Sequence, residues 1–262
     1  MRQSTTSLNQ DILRQFLTLI AILAAFGTNV LANVAPFNGL TIGEISNTFF
    51  KKVLITPANY AFAIWGLIYL GLIALGVYQV LPAQRQNPSL RRMGYFLVLA
   101  SLAQIAWVFF FQYQLFTLSL VAMLGILLPL IGAYQRLGAG RDRISRIHKW
   151  LVSIPLSIYL GWISVATIVN VALVLYNLGW QGWGISPEVW TAIALVAGAA
   201  IAATVSIHRA DIAFVLVIVW AFIAIAVRQA NIPLIAITAV GLAIALVFSL
   251  VVSVLRQRQS AP

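Results

Sequence analysis

Eight stretches of apolar residues alternate along this chain with short polar connections, at 13–34, 60–81, 93–113, 115–134, 150–176, 189–207, 212–227 and 232–255. A helix that crosses a bilayer takes about 20 predominantly apolar residues. Each stretch is close to that length, and none reads as alternating strand. The pattern predicts an all-α membrane protein, an eight-helix transmembrane bundle. Pro129 marks an expected kink in the fourth run. Gly66 and Gly71 in the second, and Ala194, Gly198 and Ala202 in the sixth, leave room for close helix approach.

The connections carry their own signals. Residues 1–12 are polar and read as an exposed tail. The run behind them also has features of a secretory signal peptide, with Arg2 and Arg14 as its basic region. Its full spanning length favours a first membrane helix, with Arg14 as an anchor at the membrane edge. The longest connection is 35–59. There Asn38-Gly39 is a turn signal, and Thr41 and Glu44 have capping-box spacing. Ile42, Ile45 and Phe49 follow at helical intervals, ahead of Lys51 and Lys52. This is a short amphipathic helix at the membrane surface, either a solvated connector or a lid over a pocket. Pro57 then starts the second run, where its missing N–H does no harm. The turn NLGWQGWGISPEVW holds Trp180, Trp183 and Trp190 as interfacial anchors.

Composition removes the soluble alternatives. Of 262 residues, 62% are hydrophobic and 8% charged, against about 25% charged in an average soluble domain. The mean hydropathy is +0.98. Lipid must therefore be the solvent for most of the chain. The net charge of +11 does not point to nucleic acid, because the basic residues sit in turns between apolar runs. With the N-terminus inside, alternation over eight spans puts Arg2, Arg14, Arg85, Arg91, Arg92, Arg136, Arg141, Arg143, Arg146, Lys149, Arg209, Arg256 and Arg258 on one side. The other side receives only Lys51, Lys52 and Arg228. That asymmetry predicts cytoplasmic N- and C-termini. The absence of cysteine excludes disulfides, thiolate metal sites and cysteine nucleophiles.

Candidate chemistry lies on three helical stripes. Tyr159, Trp162, Ala166 and Asn170 recur at i, i+3, i+7 and i+11, with Val165, Ile168 and Val169 on the opposite face, suited to lipid or apolar neighbours. Phe62, Trp65 and Tyr69 share a second stripe, and Gln104, Trp107 and Phe111 a third. Walls of this kind would bury and stack a flat aromatic ligand; they also serve as packing. Asn170 and Gln104 would orient a ligand's polar edge, or make an interhelical hydrogen bond worth about 1 kcal/mol. No ionisable residue falls mid-span, which argues against ion-coupled transport. His148 and His208 lie at helix ends, where haem ligation is the less common role for a lone histidine. Glu44, Glu188 and Asp211 are scattered, so neither catalytic residues nor a metal site are expected, and no phosphate loop is present.

The residues resemble the translocator protein / tryptophan-rich sensory protein (TspO/MBR) family. That family's second helix opens with a Pro-Pro pair followed by Trp, Phe, Trp and Tyr. Here Thr56-Pro57, Tyr60, Phe62, Trp65 and Tyr69 stand in those places. Its third helix carries an Asn, a Trp three residues on, and Phe residues, matched by Gln104, Trp107, Phe110 and Phe111. Its fifth helix pattern is matched by Tyr159, Trp162, Ser164, Ala166, Thr167 and Asn170 without a gap. The first Pro and first Trp are replaced, Gln104 replaces the Asn, and Ile158 replaces a Pro.

The resemblance implies a five-helix translocator-like unit over 13–178, after the tail 1–12. A three-helix membrane extension over 179–262 has no counterpart in the five-helix fold. It further implies a receptor or carrier for a hydrophobic small molecule, tetrapyrrole-, porphyrin/haem- or sterol-like, bound in an aromatic-lined intramembrane pocket, with no cofactor required. A homodimer is a common state in that family, and the inner membrane is the expected location for a bacterial member. A small-metabolite transporter and a porphyrin-degrading enzyme are the alternatives.

Overall fold

The computed structural model describes residues 5–138 and 145–259. Among these, every apolar run carries one long helix: α1 (Thr5–Val34), α3 (Ile64–Val80), α5 (Phe96–Gln112), α6 (Phe116–Leu137), α8 (Ile154–Asn177), α9 (Pro187–Arg209), α10 (Ile212–Arg228) and α11 (Pro233–Gln259). Short helices α2 (Ile42–Phe49), α4 (Pro88–Met93) and α7 (Arg146–His148) lie in the connections. Six helical stretches are long and apolar enough to cross a membrane, and α5 and α10 are shorter apolar helices of 17 residues each. The chain is an all-α, multi-pass membrane protein.

Local chemistry sets the boundaries. Asn87 caps α4 by accepting from the Ser89 N–H at 3.0 Å, with Pro88 in the first turn. Ser186 caps α9, again before a proline, and Asp211 caps α10 by accepting from the Phe214 N–H at 3.1 Å. These side chains satisfy N–H groups that a helix cannot pair internally. The fifth run does not enter its helix directly. A π turn, Lys149–Ser153, precedes α8. Pro155 has no N–H to continue regular pairing there.

Contacts group the chain into two units. The first holds Met1–Ile42 and Trp65–Leu156; the second holds Gly43–Ile64 and Ser157–Pro262. This grouping differs from a division at residue 178, because nearly all of α8 falls with α9, α10 and α11. In the first unit, α5 packs on α6 and on α1. A Cβ at Gly71 would come within 2.9 Å of Pro155, so only glycine allows that approach. Gly66, expected to do the same, has open space around it.

The polar start of the chain is helical from Thr5, not a tail. Asp11 and Arg14 are only 7% and 5% exposed. Arg14 lies 3.6 Å from Asp11 and donates to the carbonyls of Leu90 (3.2 Å) and Arg85 (3.4 Å). Arg91 also donates to Asp11, through Nε at 3.0 Å and through Nη2. Arg14 is therefore a buried tie between α1 and α4 and not an anchor reaching for the membrane surface. At the next residue, Gln15 and Gln79 donate to each other's backbone carbonyls, joining α1 to α3. Arg2, Arg141 and Arg143, counted in the charge asymmetry, lie outside the described residues.

In the second unit, α9, α10 and α11 pack mutually. A Cβ on Gly161 of α8 would sit 3.1 Å from the Phe214 carbonyl and from Val217, which brings α8 against α10. Ser157 Oγ donates to Asp211 at 2.6 Å and closes the same junction. Gly198, within the small-residue stripe of α9, faces Ile168 and Phe222.

The long first connection is bonded in both its parts. In the first unit, Gln112 holds residues 37–40. In the second unit, 54–61 is strapped to α10: the Ala58 N–H donates to Ala224 (3.1 Å), Arg228 to Pro57 (3.1 Å), Gln229 to Leu54 (2.9 Å) and Trp220 Nε1 to Ala61 (3.2 Å). Within α2, Ile45 is buried as expected, but Phe49 is exposed and Phe50 takes the buried place.

Candidate ligand-binding residues

Helix α8 brings its stripe inside. Tyr159, Trp162 and Asn170 are 2%, 3% and 2% exposed, with Ala166 half-buried between them. More of α8 is buried than of any other long span: 56% of its apolar window, against 28–39% for the rest. The opposite face of α8 meets apolar neighbours. Val165 is buried and Ile168 lies against the Gly198 position. Ser164 and Thr167 return their hydroxyls to the carbonyls of Leu160 and Ile163, one turn back. They are thereby kept off the aromatic stripe.

Phe62 stands with this set. Its ring meets Trp162 edge-on, with centroids 5.8 Å apart and planes at 85°, a favourable aromatic geometry. The sequence placed Phe62 on one helical stripe with Trp65 and Tyr69. Instead it lies in the 3-10 turn Asn59–Ala63, in the second unit, whereas Trp65 and Tyr69 lie on α3 in the first. The 3-10 turn runs on into α3, and the strap onto α10 holds its start through the Ala58 N–H and the Ala61 carbonyl.

In the first unit, Trp65 stacks on Tyr69 one turn along α3 (5.5 Å, 26°). Tyr69 also meets Phe26 (5.2 Å) and donates its hydroxyl to the Ala25 carbonyl at 3.3 Å. Trp107 stacks on Phe111 in the same way on α5 (5.0 Å, 24°), and Phe111 meets Phe116 edge-on. Gln104 is buried one turn earlier. The structure thus brings the predicted residues together as Trp65 with Tyr69, Trp107 with Phe111, and Phe62 with Trp162. What these surfaces offer is apolar area, ring faces and two amides, which is binding chemistry.

Sequence reasoning passed over Gln112. It is fully buried, and its Nε2 donates to Ala32 (2.8 Å) and Leu40 (3.1 Å), while its Oε1 accepts from the Phe37 N–H (3.1 Å). Asn38 donates to its backbone carbonyl. An amide closing an apolar run just where another connection carries Asn-Gly was the available signal. Asp11 was passed over too, because it lay in a stretch read as a tail. Its hydrogen bond pushes the Arg91 guanidinium further above its usual range. Among the described residues no group of three or more His, Asp or Glu is placed to hold a metal ion.

A family model described as TSPO-like protein matches residues 15–252. The chain belongs to the TSPO-like family. No curated protein and no solved structure matches it. The match runs from α1 through α9 and α10 into α11. A TSPO-like chain with this set of apolar helices is a multi-pass integral membrane protein in contact with the lipid bilayer, of a membrane ligand-binding or transport class.

Proposed function

We propose that this TSPO-like protein is a membrane receptor or carrier for a flat hydrophobic ligand, tetrapyrrole- or sterol-like, held against the aromatic stripe of α8. The observation that carries this reading is the burial of Tyr159, Trp162 and Asn170 in an otherwise apolar helix, with Phe62 edge-on to Trp162. A ring system lying on Trp162 and Tyr159 gains area and stacking, and the Asn170 amide reads its polar edge. Trp65 with Tyr69, and Trp107 with Phe111, form candidate surfaces in the first unit.

The test is titration of the purified full-length protein with protoporphyrin. Saturable binding is expected, and Asn170→Val should weaken it about tenfold, the loss of roughly one ligand hydrogen bond. Trp162→Ala should weaken it further. Unaltered affinity in both variants, with loss in Trp65→Ala or Trp107→Ala, would move the ligand to the first unit. Uptake of solute into vesicles without saturable binding would favour a small-metabolite transporter instead. For topology, cytoplasmic termini are proposed from the 13-to-3 division of basic residues. Because the chain has no cysteine, Ala83→Cys should label only from the cytoplasmic side and Gln181→Cys only from the opposite side.

A further inference from the structure

Most amide side chains in the first unit donate to the backbone. Gln15 and Gln79 donate to each other's carbonyls, Gln112 donates to Ala32 and Leu40, and Asn33 donates to the Asn29 carbonyl. Asn29 differs. It lies on α1 at 8% exposure, and its Nδ2 is buried without a hydrogen-bond partner. Inside a membrane a buried polar group is normally satisfied by the protein itself, because lipid supplies no partner. A polar side chain kept there at a cost points to a binding role.

Contacts along α1 fix what lies beside this amide. On the buried stripe of α1, Asn29 stands between Ala25 and Ala32. The Ala25 carbonyl accepts from Tyr69 of α3, and the Ala32 carbonyl from Gln112 of α5. Helices α1 and α3 run antiparallel. Gln15 meets Gln79, a Cβ on Gly76 would sit 2.8 Å from Leu19, and Ala25 meets Tyr69. One further turn along both helices brings Asn29 level with Trp65. Trp65 stacks on Tyr69, and Tyr69 meets Phe26 at 5.2 Å. The three rings make one continuous surface that ends at the depth of the amide. That surface can be reached, since Phe26 is 37% exposed and Trp65 half-buried. Space adjoins it on both helices: a Cβ at Gly27 or Gly66 would meet nothing within 4 Å.

From this placement we infer that Asn29 reads the polar edge of a flat, neutral aromatic ligand lying on Phe26, Tyr69 and Trp65. Turning an amide over exchanges donor for acceptor, so the ligand's edge carries a carbonyl or a ring N–H. The ligand is neutral because an amide and three rings supply no counter-charge to a desolvated ion. The inference rests on the reading of the first-unit rings as ligand surfaces and adds the residue that selects among ligands.

Fluorene, fluorenone and carbazole test it, being tricycles of one shape with a methylene, a carbonyl or an N–H at the same edge. They are titrated into the full-length protein in mild detergent. Fluorenone or carbazole should bind about tenfold tighter than fluorene, the effect of one hydrogen bond. Asn29→Leu should bring the preferred tricycle down to the affinity of fluorene. Fluorene binding itself should change by less than about twofold, which shows that the variant is folded. Asn33→Leu, an exposed amide one turn away, should keep the preference, and Trp65→Ala should weaken all three tricycles. Equal affinities for the three, no saturable binding of any, or a preference that survives Asn29→Leu would each overturn the inference. Protoporphyrin binding and its response to Trp162→Ala, read on the same samples, test the α8 reading separately. A tricycle preference that depends on Asn29 supports this site whatever protoporphyrin does.

Discussion

The two units solve the same problem with different chemistry. In lipid, every buried polar group must find its partner inside the protein. The first unit does this with charges and amides: Asp11 between Arg14 and Arg91, Gln15 against Gln79, and Gln112 on three backbone groups. Between its membrane helices the second unit uses hydroxyls, Ser157 on Asp211 and Ser206, Ser249 and Ser253 on one another, and keeps Arg228 and Gln229 for the strap at the end of α10. A buried charge costs far more to strand than a hydroxyl does. The first unit should therefore be brittle at a few positions, and the second should yield by small steps.

The largest effect is expected at Asp11. Asp11→Ala leaves the buried Arg14 guanidinium with only carbonyl acceptors and should destabilise the protein by about 3 kcal/mol, read as a lowered unfolding midpoint in detergent. Adding Arg14→Met should restore most of that loss, because an apolar pair of similar volume needs no partner. If the double variant is no better than Asp11→Ala, the charges are not coupled and the contrast between the units fails there.

Gln112→Leu comes next, at about 2 kcal/mol. It strands the Ala32 and Leu40 carbonyls and the Phe37 N–H, which the leucine cannot reach. Proteolysis in the connection following α1 should quicken, since residues 37–40 lose their hold. Unchanged cleavage would show that Gln112 is not what fixes that segment. Ser157→Ala should cost less, about 1 kcal/mol, because Asp211 keeps its capping bond to the Phe214 N–H.

The helices could be read from the sequence because lipid imposes one simple rule, length and apolarity, on each span. The α8 stripe was legible for the same reason: in Tyr159, Trp162 and Asn170 the helical period and the polar exceptions coincide. What escaped depended on partners far along the chain. Arg14 looks like a membrane-edge residue until Leu90 and Arg85 are placed beside it. Phe62 keeps helical spacing to Trp65, yet the backbone around it is held by α10, more than 150 residues later, in another unit. Gln112 has no local signature of a latch, because its partners Ala32, Phe37 and Leu40 belong to the end of α1 and the segment after it. Periodicity reports what a side chain faces only when its own helix decides that.

The smallest expected effect sharpens the comparison most. Thr204 and Ser206 lie two residues apart on α9. Thr204 is exposed and bonds only back to the Ala200 carbonyl, while Ser206 is buried and bonds across to α11. Thr204→Val preserves shape and removes a bond that holds no second helix, so stability should stay within about 0.5 kcal/mol. Ser206→Ala breaks both of its bonds to α11 and should cost about 1 kcal/mol. Equal costs at the two sites would mean that crossing between helices confers nothing beyond satisfying the hydroxyl itself. The second unit would then be held by the close contacts at Gly161 and Gly198.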